Sequence, residues 1–456
     1  RNALNLTSLE AARLQRLQAD VLYRMGNLNE ARKHLRRAAA DLNWSMPETT
    51  AEMSAKLLRE MTRQVGHRTM PFFRRSTQPR DWLLETHRVA MIEAEIAFLR
   101  NETTPMLVYG VGALNQAEVA GISPELAKGS ANMCYAVSNV GQAGLANIYK
   151  RQARRVAEQV GDPSVQEFAL RRTSLLDIGL GKWDEADEAL RSSLEYAAAL
   201  GDLQAREESL DFLASMLYYQ GEFERSHDLF AEVYTLAVRT SSLLHQSWGL
   251  LGQGQNYLRL GQLDRAEELL RESLVILEGG EVNDLLTLIQ AYGLLALTQC
   301  YRGRFDEADI LVQEGLEKQG KSEPTGFALL EGYAGSAETE LLMLERIPDG
   351  DPSREGMRER ATRSVARVQA LAKSIPIVRP RAQILSGWLA HLTGDSNGAT
   401  DKLRTARKTA EAAAMPLEVA LASYHLGRLL PVDAPERPEM LGSACALFAR
   451  LGCKVH

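Results

Sequence analysis

The sequence is poor in the residues that announce chemistry. It holds four cysteines, Cys134, Cys300, Cys445 and Cys453, with no Cys-x-x-Cys and no metal-type Cys/His spacing. That excludes a disulfide-stapled scaffold and a zinc module, and it points to a reducing, cytoplasmic setting. Cys445 and Cys453 lie eight apart across a final helix and its Gly452 end, and they read as small buried hydrophobes rather than a redox pair. The eight histidines include no pair four apart and no His-Glu-x-x-His, so no metal site is expected. There is no excess of positive charge: 53 Lys+Arg against 59 Asp+Glu give −6, which argues against a binder of nucleic-acid backbones. No stretch of 18 apolar residues occurs, the run 285–301 being interrupted by Thr287, Gln290, Thr298 and Gln299, so no membrane span is expected. Residues 1–26 alternate charged and apolar side chains and are not a signal peptide. The chain starts at Arg1, not at a methionine, from which a longer precursor or parent protein is expected.

What is present is a repeated phrase. Gly181-Lys-Trp183-Asp-Glu-Ala186, Gly221-Glu-Phe223-Glu-Arg-Ser226, Gly261-Gln-Leu263-Asp-Arg-Ala266 and Gly303-Arg-Phe305-Asp-Glu-Ala308 share one pattern, and their glycines are 40, 40 and 42 apart. Gly26-Asn-Leu28-Asn-Glu-Ala31 is an early copy and Gly394-Asp-Ser396-Asn-Gly-Ala399 a degenerate late one; counting back by forties reaches Gly141 and Asn101. Each phrase reads as a tight turn between antiparallel helices: Gly ends one helix, and the acids after it suit the positive first turn of the next. Seven before the Gly stand Ala19, Ser174, Ala214, Gly254, Ala296 and Gly387, all small; nine after it stand Leu35, Leu190, Phe230, Leu270, Val312 and Leu403, all apolar. The opposite ends of the units carry Gly121-Ile-Ser123-Pro124, Gly161-Asp162-Pro163 and Gly201-Asp202, a helix stop followed by a cap. No segment shows sustained period-two alternation, so strand content should be near zero. The expectation is an all-α solenoid of helix pairs with a period of about 40 residues.

Two breaks interrupt the period. Residues 59–80 contain Arg59, Arg63, Arg68, Arg74, Arg75, Arg80 and His67 against Glu60 alone, with Phe72 and Phe73 between two prolines. This segment reads either as a connector wrapped over the array or as a docking site for an acidic partner, with Arg68, Arg74, Arg75 and Arg80 as its contacts. The second break is Ile347-Pro-Asp-Gly-Asp-Pro-Ser353. The resulting organisation is 1–65 (first repeat and a following helix), 66–80 (basic connector), 81–346 (main superhelix), 347–353 (linker) and 354–456 (closing repeats and cap, or a separate subdomain).

The small–Gly–aromatic–Ala columns resemble the tetratricopeptide repeat, lengthened from its usual 34 residues or so. A further similarity rests on Ala94-Glu-Ile-Ala-Phe-Leu-Arg-Asn101-Glu-Thr-Thr-Pro105, Ala113-Leu-Asn-Gln-Ala-Glu118, Gly121 and Ser123-Pro-Glu-Leu-Ala127. These resemble the C-terminal repeat region of ATPase-linked bacterial class III nucleotide cyclases, and related arrays occur in large LuxR-type regulators. The resemblance implies a sensor region that communicates with an ATPase, cyclase or transcription module. This sequence itself has no Gly-x4-Gly-Lys-Ser/Thr loop and no helix-turn-helix tail.

If the units stack as in tetratricopeptide arrays, positions 13, 10, 6, 3 and 2 before each turn glycine line a concave groove. They are Arg88, Glu95, Lys128, Tyr135, Asn139, Arg171, Glu208, Asp211, Tyr218, Tyr219, Trp248, Gln255, Arg259, Gln290 and Tyr301. This mixture suits a protein segment or a polar small effector, although Tyr218, Trp248 and Tyr301 would serve equally as core between neighbouring units. No cofactor and no catalytic constellation is expected. An architectural oligomerisation scaffold and a stand-alone adaptor stand as alternative roles, and an enzyme using the groove as a weaker one.

Overall fold

The computed structural model describes residues 6–24, 27–70, 74, 76–100, 102–280, 282, 284–320 and 326–454. Gly26, Asn101, Phe72, Phe73 and Arg75, used in the sequence argument, lie outside the described residues. Among the described residues there are 21 α-helices and no strand. In chain order they are α1 Ser8–Arg24, α2 Leu28–Asp41, α3 Thr50–Thr69, α4 Arg80–Leu99, α5 Thr103–Ala120, α6 Pro124–Ser138, α7 Ala143–Val160, α8 Pro163–Leu180, α9 Trp183–Leu200, α10 Leu203–Tyr219 and α11 Phe223–Thr240. There follow α12 Leu243–Arg259, α13 Leu263–Glu278, α14 Leu285–Tyr301, α15 Phe305–Gln319, α16 Leu329–Arg346, α17 Ser353–Ser374, α18 Arg379–Leu392, α19 Ser396–Ala412, α20 Pro416–Leu429 and α21 Glu436–Leu451. Consecutive helices pack as pairs, α1 with α2 and α4 with α5, then α10 with α11, α12 with α13, α14 with α15, α16 with α17, α18 with α19 and α20 with α21, while α3 packs on α5.

The repeated phrase is the turn inside each pair. Gly221 has φ +78° and Gly261 φ +73°, the left-handed conformation that stops a first helix within one residue. The acids that follow, such as Asp184, Glu185, Asp306 and Glu307, fall in the first turn of the second helix. Between pairs, the Asp202 side chain accepts from the Ala205 amide at 3.0 Å, and Pro124 and Pro163 begin α6 and α8.

The small and large columns are the packing. Ala19, Ser174, Ala214 and Ala296 are fully buried, as are Leu35, Leu190, Leu270 and Leu403. A β-carbon built on Gly254 would lie 2.9 Å from Leu270 Cγ, and one on Gly387 2.8 Å from Leu403 Cγ. The same columns therefore meet in two pairs far apart in sequence. A second register joins each second helix to the next first helix: Gly252 faces the Phe230 ring, Gly249 faces Tyr234, and Asn256 Nδ2 donates to Ser226 Oγ at 3.0 Å. Along these contacts positions 5, 9 and 12–13 after one turn glycine meet positions 5, 9 and 12 before the next.

The chain divides into two compact units, residues 1–137 with 143–173, and residues 138–142 with 174–456. Residues 354–456 thus share a unit with the repeats from 174 onward. In that second unit, α14 and α16 pack backbone to backbone, because a β-carbon on Gly293 would lie 2.0 Å from the Gly332 carbonyl oxygen and one on Gly335 2.4 Å from that of Gly293. The early turns of this unit also meet its end: Trp183 Nε1 donates to the Ala413 carbonyl at 2.8 Å, and Gly221 abuts Leu451 and Pro416.

Several expectations are corrected in detail. Helix α3 continues to Thr69, past the expected stop at Val65, so the basic segment begins as helix. Cys453 is buried, and burial pushes its thiol up to about 11, but Cys445 is exposed.

Gly293→Ala should destabilise the second unit by roughly 1–3 kcal/mol, since its new methyl meets backbone that cannot swing away. Gly110→Ala, with open space around its β-carbon in α5, should be neutral or stabilise by up to about 1 kcal/mol. Urea unfolding of both variants checks the contrast.

Candidate functional site

In the second unit the expected groove positions other than Asn139 lie on the first helices α10, α12 and α14, and most of them are covered. Tyr218, Tyr219 and Arg259 are only 2–4% exposed. Arg259 Nε donates to Tyr218 Oη at 2.9 Å, and its Nη2 donates to Glu331 Oε2 at 2.5 Å. Glu331 Oε1 lies 3.9 Å from Arg381 Nη2; Arg381, fully buried, also donates to Glu338 Oε1 at 2.7 Å and to Glu418 Oε1 at 2.8 Å. Tyr219 Oη donates to the Phe327 carbonyl at 3.3 Å. The groove expected to be open at these positions is therefore closed by α16, α18 and α20. The physical cause is the glycine contact of α14 with α16, which brings acidic first-helix side chains onto the basic and phenolic ones.

Inside this network charge is shared unevenly. Burial pushes the Glu331 carboxyl up, but Arg259 and Arg381 beside it overcome that and hold it below the ordinary carboxylate range. Burial dominates at Glu418 and raises it, Arg381 offsetting only part. Burial also drives the Tyr218 and Tyr219 phenols well above their usual range.

Nearer the start of the unit the inner face remains open. Glu208, Asp211 and Trp248 are half-buried. Trp248 Nε1 donates to Asp284 Oδ2 at 2.8 Å, and its ring lies 4.8 Å from that of His245, which pairs with Glu207 Oε2 at 2.5 Å. Gln290 Nε2 donates to Gln255 Oε1 at 2.9 Å, closing the amides on each other. Asp211 has no hydrogen-bond or ion-pair partner among the described residues. Burial pushes its carboxyl up to about 7, His245 opposing and Glu208 and Asp284 reinforcing the shift. Tyr301 is half-buried, and burial raises its phenol beyond the usual range.

In the first unit the expected positions divide between ion pairs and an aromatic cluster. Arg88 Nη2 and Nε bind Glu125 Oε1 at 2.6 and 2.9 Å, and its Nη1 reaches Glu85 at 3.1 Å. Glu95 is exposed, and Asn139, which belongs to the second unit, is half-buried. Arg171 is buried and paired with Glu167 at 2.6 Å. Lys128 Nζ and Arg171 Cζ lie 5.5 and 5.4 Å from the Phe168 ring centre, and Arg172 Cζ lies 5.7 Å from those of both Phe168 and Tyr135.

The basic docking residues are engaged within their own unit. Arg80 donates to the carbonyls of Ala120 and Ile122, capping α5; Arg74 Nε donates to the His67 carbonyl at 3.1 Å; Arg68 stacks 4.2 Å above the Tyr149 ring. They fasten the segment. Arg75 lies outside the described residues.

Sequence reasoning missed Glu331, Arg381, Glu418 and Asp284. Arg381 was within reach, since it stands 13 before Gly394, the column that yields Glu208 and Trp248. Glu331 and Glu418 lie in helices that no turn glycine of the phrase follows, so the column rule gives them no register. No group of three metal-ligating side chains occurs among the described residues, and no described helix is long and apolar enough to cross a membrane.

The tetratricopeptide repeat family model matches residues 208–242, that is α10 from Glu208, the Gly221 turn and α11. Comparison with curated proteins gives no match. Among solved structures, the apo form of RapI is 13% identical, with a TM-score of 0.50 over 88% of this chain and 97% of that one. A Rap protein complexed with competence and sporulation factor is also 13% identical, with a TM-score of 0.48 over 95% and 99%. At such identity the likeness to RapI extends to the fold alone. The fold is a tetratricopeptide-like helical-repeat solenoid.

Arg381→Met should cost about 3–5 kcal/mol by leaving Glu338 and Glu418 buried without their cation. Glu331→Gln should destabilise at neutral pH, and the loss should shrink as the pH falls through the depressed Glu331 pKa, where the native carboxylate is protonated too. Glu418→Gln should cost least, since burial disfavours the Glu418 carboxylate and the amide removes that penalty. Denaturant titrations at several pH values test this order.

Proposed function

We propose that the chain is a non-catalytic protein-interaction scaffold whose second unit recognises a protein segment through a basic group. The observation that carries this reading is Asp211: a half-buried carboxylate without a partner, in the fields of Glu208 and Asp284, on the same inner face as the indole of Trp248. An ammonium or guanidinium placed there would meet the carboxylate directly and gain cation–π attraction from the ring. Further along this face Arg259 and Arg381 are already paired with Glu331, Glu338 and Glu418, whereas Asp211 and the Trp248 ring have an incoming cation to gain.

Such binding would be read out through the fold. A segment seated across α10, α12 and α14 touches the helices that the Arg259–Glu331 pair ties to α16, so occupancy would bias how firmly that tie holds. We further propose that the array controls an ATPase, cyclase or transcription-regulating module in a longer protein. The support for this is the resemblance carried by residues 94–105 and 113–127.

An N-acetylated peptide with one lysine should bind with higher affinity than the same peptide with norleucine, measured by calorimetry. Trp248→Ala and Asp211→Asn should each lower the affinity about tenfold, equivalent to about 1.4 kcal/mol, and wild-type binding should fade as pH drops below about 7, where Asp211 takes up its proton. Equal affinity for the two peptides overturns the reading. The raised pKa also fixes a stability sign. The ionised carboxylate penalises the fold increasingly between its ordinary value and about 7, so without ligand Asp211→Asn should be more stable at pH 8, by on the order of 1 kcal/mol, and equal to wild type near pH 4.

A further inference from the structure

Helix α3 packs Met53 and Leu57 against the Val108 and Tyr109 cluster, yet it buries a polar row and leaves an apolar one outside. Lys56, Glu60, Gln64 and His67 face inward and are 4%, 4%, 7% and 1% exposed, whereas Leu58, Met61 and Val65 face outward at 70%, 53% and 60%. The inward side is tightly held. Lys56 Nζ donates to the Ser45 carbonyl and sits 3.7 Å from the Trp44 ring centre. Asn115 Nδ2 donates to both the carbonyl and Oε2 of Glu60 at 2.9 Å. Gln64 Nε2 and His67 Nδ1 meet Glu118 Oε2 at 2.7 and 2.8 Å, while Gln152 reaches the other carboxylate oxygen at 3.2 Å. Rolling α3 to bury its outer apolar row would strand these buried polar groups without their hydrogen-bond partners. The hydrogen bonds therefore fix the apolar side outward.

That outward side has the spacing of a helix–helix seam. Ala51, Ala55, Leu58, Thr62, Val65 and Thr69 follow one another at intervals of four and three, none is charged, and all are exposed. Small residues along half the seam let a second helix approach closely. The rim is basic. Arg59 is 68% exposed with Glu60, 3.7 Å away, as its carboxylate neighbour, and Arg63 has no ion-pair partner among the described residues. Glu52, the acid on the exposed side, is turned back to accept the amides of Glu48 and Thr49 at the helix start.

We propose that α3 is a docking helix for an amphipathic partner helix whose apolar seam is flanked by aspartate or glutamate. The seam supplies the contact, and Arg59 and Arg63 select the acidic flank and its orientation. The shallow, small-residue character of the band and the absence of an exposed aromatic on it fit a helix better than a bilayer surface. The first unit would thus offer a binding surface distinct from the inner face of the second.

The test uses the full chain and a fluorescein-labelled designed helix with a Leu/Ala seam and Glu flanks, beside an otherwise identical peptide with Lys flanks. The Glu peptide should give saturable anisotropy that weakens about tenfold or more with Leu58→Asp or Val65→Asp and severalfold with Arg59→Glu/Arg63→Glu, and that falls with added salt. Because Leu58, Arg59 and Val65 are exposed and Arg63 only half-buried, circular dichroism should stay unchanged, and Trp248→Ala should leave the binding intact. Equal binding of the two peptides, or none, overturns the proposal. So does flotation with phosphatidylserine vesicles that depends on Leu58, which would assign the face to a membrane. A concentration-dependent dimer in light scattering that Leu58→Asp abolishes would assign it to a second copy, and it overturns the proposal equally.

Discussion

The structure depends on one packing constraint: a small residue seven before each turn glycine must accept a large one nine after it. Gly254 against Leu270 and Gly387 against Leu403 are two instances, each leaving no room for a β-carbon. This contact sets how closely the two helices of a pair approach, and hence where each pair presents its next face. The second register, in which Gly252 admits the Phe230 ring, propagates that spacing to the following pair. Because interiors are close-packed, a change at either column would be felt along the stack.

Between α14 and α16 the same principle goes further and changes the character of the inner face. Gly293, Gly332 and Gly335 let two backbones touch, and side chains that would otherwise line a groove are enclosed. Arg259, Arg381 and their three glutamates then have to satisfy one another in a low-dielectric interior, where an unmatched charge is far more expensive than on the surface. The network fastens four first helices, α12, α16, α18 and α20, through hydrogen-bonded charge. Toward α10 and α12 the inward side chains Glu208, Asp211 and Trp248 stay half-buried, and there the Asp211 carboxylate remains unmatched.

The fold was readable because its signals are local. A left-handed residue, a run of first-turn acids and a small-residue column each act within one or two turns of helix, so the phrase at 181, 221, 261 and 303 revealed the helix pairs directly. The inner face was legible only as a direction. The columns selected Tyr218 and Arg259 correctly as inward side chains, but whether an inward side chain meets solvent depends on which distant helix covers it, and Glu331 lies 72 residues from Arg259. Helix α3 defeated the reading for another reason. The helix itself was expected as far as Val65, but the burial of its polar side rests on partners such as Asn115 and Glu118 from α5, residues that entered the sequence argument only as marks of family resemblance.

The central claim is that Asp211 is a half-buried carboxylate held without a partner beside Trp248. The most direct measurement is the carbon-13 chemical shift of its carboxyl group across a pH titration, with and without the single-lysine peptide. A midpoint near 7 in the free chain, falling toward ordinary carboxylate values when the peptide is bound, is the predicted result. An ordinary midpoint in the free chain, or one that the peptide does not move, would contradict it.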